Sequence, residues 1–132
     1  MAHMFFASIF NNGGKPLKNV DDEGINTGFG SSFGQNCTLR AMFQQNSVFN
    51  ENISKWNTDN VTDMSLMFAD AFFNRKSDLT QWNNNLSNVQ DWTEIFYLGN
   101  LNFELTVDTQ LNESGDEYPQ FILIPPIYSY PI

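Results

Sequence analysis

Val61-Thr62-Asp63-Met64-Ser65-Leu66-Met67-Phe68-Ala69-Asp70-Ala71-Phe72-Phe73-Asn74 is the stretch on which the fold turns. Met64, Met67, Phe68, Ala71 and Phe72 fall at i, i+3, i+4, i+7 and i+8, the spacing of one apolar stripe on an α-helix. Asp63 stands just before the stripe, where its carboxylate can accept hydrogen bonds from the unpaired first N–H groups of a helix. The spacing predicts a short capped helix, entered through a very short extended piece at Val61.

The pattern recurs. Leu39-x-x-Met42-Phe43 overlays Met64-x-x-Met67-Phe68 at an offset of 25 residues. Both copies continue to Phe-Asn, at Phe49-Asn50 and Phe73-Asn74, and then to an aliphatic residue three before a tryptophan, Ile53 with Trp56 and Leu79 with Trp82. A further copy holds Val89, Asp91, Trp92, Ile95, Phe96 and Leu101-Asn102, and the chain opens inside another, with Met1, Met4, Phe5 and Phe10-Asn11. Thr38, Asp63 and Asp91 supply a capping residue ahead of each complete stripe. A period of this length signals stacked units, none of which can fold alone. The expected fold is therefore an α/β solenoid, a leucine-rich-repeat-like stack of short strand plus short helix units, with a C-terminal β-hairpin or extended tail. The solenoid would span 1–102, as a first unit 1–11, a loop insertion 12–36 and units 37–60, 61–88 and 89–102. Residues 103–132 would form a C-terminal cap and an apolar, proline-rich tail. Ladders are expected of Phe43 with Phe68 and Phe96, of Trp56 with Trp82, and of Asn50, Asn74 and Asn102.

Asn60-Val61-Thr62-Asp63-Met64-Ser65-Leu66-Met67-Phe68, followed by Phe-Asn, an aliphatic residue and Trp, resembles the BspA-like, leucine-rich-type surface repeat, also described as the Mycoplasma-lipoprotein repeat of unknown function. The resemblance covers residues 1–102, is strongest over 39–82, and does not reach 103–132. It implies kinship with surface proteins of bacteria and protists and with open reading frames of large DNA viruses. A solenoid and an interaction role follow from it; a catalytic motif does not.

Composition narrows the function classes. Lys and Arg number 6 against 15 Asp and Glu, a net charge of −9 that would repel a phosphate backbone, so nucleic acid is not expected as a partner. Cys37 is the single cysteine, which removes any internal disulfide or CxxC pair and reads as a small buried hydrophobe. His3 is the single histidine, so no His-based triad or two-imidazole metal centre can be assembled. Met1/Met4 and Met64/Met67 could offer thioethers to Cu(I), but Leu39, Trp92 and Ile95 fill the same slots in other copies, so the slot demands apolar bulk. Gly28, Gly30 and Gly34 lack both the GxGxxG spacing and a following Lys-Ser/Thr, and Asp21-Asp22-Glu23 lacks the alternating ligands of a calcium loop. No enzymatic activity, cofactor or metal is expected.

No segment is long and apolar enough to span a bilayer, and residues 1–10 carry neither a basic n-region nor a small-x-small cleavage site. Phe103-Glu-Leu105-Thr-Val107-Asp alternates as a strand should, Asn112 to Glu117 reads as a turn, and Phe121-Ile-Leu-Ile124 as a second strand. The final stretch carries no charge. Phe121, Ile122, Leu123, Ile124, Pro125, Pro126, Ile127, Tyr128, Tyr130 and Ile132 are the expected partner-docking residues. The chain reads as a non-enzymatic structural or protein-interaction component, capsid-associated or on the surface of a large DNA virus, with protein partners covering its N-terminal end or its C-terminal tail. The alternative is a secreted bacterial or protist adhesin module binding protein or, less readily, glycan. Either reading places it on a virion or a cell surface.

Overall fold

The computed structural model describes residues 2–4, 30, 32–46, 53–71, 79–97 and 105–123. Their regular elements are two separate two-stranded sheets and one 3-10 helix. β1 (Cys37–Thr38) pairs in parallel with β2 (Val61–Asp63), Cys37 opposite Val61 and Thr38 opposite Asp63, and an isolated parallel bridge joins Asp63 to Asp91. β3 (Leu105–Leu111) and β4 (Glu117–Leu123) form an antiparallel hairpin with Leu105 opposite Leu123 and Leu111 opposite Glu117. The 3-10 helix, Leu79–Asn85, buries Leu79 and Trp82.

This overturns the expected α/β solenoid of strand-plus-helix units. Among the described residues there is no α-helix, and the sheets are small and separate. The apolar stripes lie instead in runs of turns over 40–45, 65–70 and 93–97. Ala41, Gln45, Leu66, Asp70 and Glu94 take φ between 49° and 58°, the left-handed region that no residue of an α-helix can occupy.

The amides explain why turns win. In the segment 39–46, the N–H groups of Met42, Gln44 and Asn46 donate three residues back, to Leu39, Ala41 and Phe43. Those of Leu39, Ala41, Phe43 and Gln45 donate sideways instead, to the carbonyls of Asp63, Ser65, Met67 and Ala69 at 2.7 to 3.0 Å. The segment 64–71 repeats this, with Met64, Leu66, Phe68 and Asp70 donating to Asp91, Thr93, Ile95 and Tyr97. An α-helix of about eight residues would leave its first four N–H and last four C=O groups unpaired. Rows of turns pair every second amide locally and hand the others to a neighbour. Each left-handed residue costs roughly 1–2 kcal/mol, which cross-row hydrogen bonds and burial offset.

The side chains nevertheless converge as the apolar spacing requires. Leu39, Met42, Phe43, Met64, Met67, Phe68, Leu79, Trp82 and Ile95 are buried in one cluster. Phe43 stacks on Phe68 with ring centroids 5.8 Å apart, Phe68 on Phe96 at 5.8 Å, and Trp56 on Trp82 at 6.3 Å. Asn50, Asn74 and Asn102, expected to form a third ladder, lie outside the described residues.

Both faces of the tryptophan pair are covered. On one side Phe33 meets Trp56 edge-on at 5.7 Å, and Gly30 accepts a hydrogen bond from Asn57 N–H at 2.7 Å. A Cβ on Gly30, whose φ is +81°, would fall on the Trp56 indole, 2.7 Å from Nε1 and closer still to Cδ1. The end of the insertion is thus folded onto the core. On the other side Phe121 of β4 meets Trp82 edge-on at 5.9 Å and Phe96 at 5.9 Å.

Candidate interaction surface

Thr38, Asp63 and Asp91, expected as helix caps, do cap, but they cap turns. Ser65 N–H donates to Asp63 Oδ1 at 2.9 Å, Thr93 N–H to Asp91 Oδ1 at 2.9 Å, and Arg40 N–H to Thr38 Oγ1 at 3.1 Å. Arg40 Nη1 also donates to Ser65 Oγ at 2.7 Å, tying the first row to the second. Hydrogen bonds from Thr93, first its backbone N–H and then its side chain, hold the Asp91 carboxyl below the usual aspartate range, with help from the Arg40 charge. Burial pushes the Cys37 thiol up, away from the thiolate that nucleophilic chemistry needs.

The third row, Trp92 to Tyr97, differs from the two before it. Its Ile95 and Tyr97 amides donate back to Trp92 and Glu94, as in the earlier rows. The amides of Trp92, Glu94 and Phe96, whose counterparts in the second row all donate sideways, meet no acceptor among the described residues. These three residues line a groove of about 410 Å³ between the third row and β3, together with Tyr97, Thr106 and Val107 among others. Tyr97 is 54% exposed there. A row of parallel N–H donors flanked by aromatic rings can bind backbone carbonyls of another segment.

A second surface is polar. Ser87, Asn88, Gln90, Asn112, Asp116 and Glu117 line a cleft of about 530 Å³ where the turn after the 3-10 helix meets the hairpin loop. The loop is held by its own side chain. Asn112 Oδ1 accepts from both Ser114 and Asp116 N–H at 2.9 Å, and Gly115 takes φ +82°. Side-chain amides offer a donor and an acceptor each, which suits hydroxyl-rich ligands. Among the described residues, no three His, Cys, Asp or Glu side chains group as a metal site.

The expected docking residues divide. Phe121 is buried against Trp82 and Phe96, and its backbone is clamped to Asn83, whose Oδ1 accepts from Phe121 N–H and whose Nδ2 donates to Phe121 O, both at 2.8 Å. Its side chain is spent on the core. Ile122 faces outward, 41% exposed, and Leu123 ends β4. Ile124, Pro125, Pro126, Ile127, Tyr128, Tyr130 and Ile132 lie outside the described residues. The open donors of the third row were missed because side-chain patterns carry no record of where a main-chain amide points. The alternation Phe121-Ile122-Leu123 could have placed Phe121 on the inner face of its strand.

Short turn rows that share buried rings, closed at one end by a hairpin, define a small protein built from repeated units. Residues 32–112 match the family described as "Mycoplasma protein of unknown function, DUF285", and the chain belongs to that family. The match takes in the three rows and β3 but not β4. The Mycoplasma-type resemblance in the repeat leads to the same family. Neither a curated protein nor a solved structure matches the chain. Among the described residues, no helix is long and apolar enough to cross a membrane.

Proposed function

We propose that this protein is a non-enzymatic protein-interaction component of a larger assembly, of the surface type. The observation that carries the reading is the third row: backbone donors at Trp92, Glu94 and Phe96 that meet no acceptor among the described residues, beside the exposed Tyr97. Unpaired main-chain groups in a groove are a binding edge, because a partner that supplies acceptors gains hydrogen bonds whose direction is already set. The half-buried Cys37 thiol and the turn-capping carboxylates support the same reading, since both are engaged in structure. Within it, the chain serves as a capsid-associated or surface component of a large DNA virus, with partner proteins seated on its exposed edges.

The second reading is a bacterial or protist surface adhesin module. Two observations favour it: the family description names Mycoplasma, and the cleft of Asn88, Gln90 and Asn112 offers paired amides to a glycan. Sedimentation of the native protein from its source tests the main proposal. It is expected to travel in a complex of fixed composition, on particles or on cell envelopes. A native protein that sediments as a lone chain and turns over a substrate overturns it.

A further inference from the structure

We propose that the third row docks a second copy of this chain, through that copy's residues Ala2 to Met4. The inference rests on the interaction reading above and names both the partner and the contact.

Residues 2–4 form a turn, and His3 takes φ 59°, the conformation of Ala41, Leu66 and Glu94. Its N–H donates to the Arg40 carbonyl at 2.9 Å. The same step joins Ala41 to Ser65 and Leu66 to Thr93: each left-handed residue donates to the carbonyl just before the next left-handed residue. Residues 2–4 therefore behave as a row of the same kind, placed ahead of the first. In such a row the amides of alternate residues face one neighbour and the intervening carbonyls face the other, as the carbonyls of Ser65 and Met67 do between Ala41 and Phe43. With the His3 amide turned toward Arg40, the carbonyls of Ala2 and Met4 lie on the opposite edge. Both residues are exposed, Met4 by 46%.

Among the described residues, no group meets the carbonyls of Ala2 and Met4 or the amides of Trp92, Glu94 and Phe96, so one edge offers acceptors and the other donors. Continuing the step by one places Glu94 N–H against the Ala2 carbonyl of a second copy, and His3 of that copy beside Glu94. Phe121 already covers the rings of Phe96 and Trp82, so the contact is confined to the groove rather than the whole cross-section. A volume of about 410 Å³ admits a few residues and no more. A contact this small is weak. Because the two edges are different surfaces, it is heterologous, and repeated use makes open chains of molecules rather than a closed pair.

Cysteine cross-linking tests it, in full-length chains whose Cys37 is replaced by serine. One chain carries His3→Cys and the other Glu94→Cys; a control pair carries Asp59→Cys and Glu113→Cys. Mixed under mild oxidation, the first pair is expected to give a disulfide-linked heterodimer at least ten times faster than the control. Light scattering on the unmodified chain is expected to show a mass that rises past two chains with concentration, and Tyr97→Arg with Thr106→Arg should abolish the rise. Equal cross-linking in both pairs, or a mass that stays at one chain up to millimolar concentration, overturns the inference. If the native protein still sediments in a complex with other proteins, the docking of a second copy falls while the proposed function stands.

Discussion

Apolar spacing marks the interior of both the turn rows and the hairpin, yet only the hairpin takes the backbone that its spacing predicts. In the hairpin, alternation over 105–108 and again at 121–123, with Asn112 and Gly115 between them, produced the expected antiparallel pair. In the rows, i, i+3, i+4 spacing placed the correct side chains inside but on a different backbone. Alternation of period two has one extended solution, and the turn residues fix its register. A spacing of three and four is met by a helix and also by successive turns that pass through the left-handed region. What separates those two is where each amide goes, and that depends on a neighbouring segment about twenty-five residues away.

Several substitutions would sharpen or break this contrast. The largest effect is expected from Phe68→Ala, since Phe68 is fully buried between Phe43 and Phe96. Loss of about 3–5 kcal/mol in denaturant unfolding is expected; a cost below about 1 kcal/mol would show that the rows do not share rings. Next comes Gly30→Ala, which sets a Cβ against Trp56 at a left-handed position. Strain and overpacking together should cost about 2–4 kcal/mol. Gly115→Ala has nearly the same φ, +82°, but nothing within 4 Å of the added carbon. Its cost should be strain alone, about 1 kcal/mol, so the difference between the two glycines measures the packing against Trp56. Equal costs would remove the closure of the core by the insertion.

Asp91→Ala deletes the acceptor for Thr93 N–H and should cost about 1 kcal/mol at neutral pH. The Asp91 carboxyl is held below its unfolded value, so its contribution is present above about pH 3.9 and is lost as pH falls through the folded value. The gap between wild type and variant should therefore narrow in acid, and a gap that widens would contradict the capping geometry. The smallest change carries the most pointed sign. Gln45 is exposed at φ 58°, so Gln45→Gly should stabilise the protein by up to about 1 kcal/mol. In a helix the same change would destabilise by a similar amount.

Much of the interior was legible in advance. Phe43, Phe68 and Phe96 stack in the expected ladder, as do Trp56 and Trp82, because a large ring at a repeated position has only the neighbouring ring to pack against. Phe33 was not legible as the ring that closes the tryptophan pair, since it lies in the insertion and has no counterpart in the repeat. In sequence Phe121 reads as a docking residue, because an uncharged, apolar tail looks the same whether it covers its own core or another chain. The two hydrogen bonds with Asn83 that fix its backbone, one donated and one accepted by the Asn83 side chain, join residues 38 positions apart.

By itself the sequence determined which side chains go inside, the interval at which they return, the family, and the strand–turn–strand closure near the end. These follow from apolar bulk, turn chemistry and period, all of which are local. Only the tertiary structure decided that the stripes are turns rather than helices, and that one row is left with donors that meet no acceptor among the described residues. Both are properties of main-chain amides, which are identical in every residue but proline and acquire direction only when a neighbouring segment is in place.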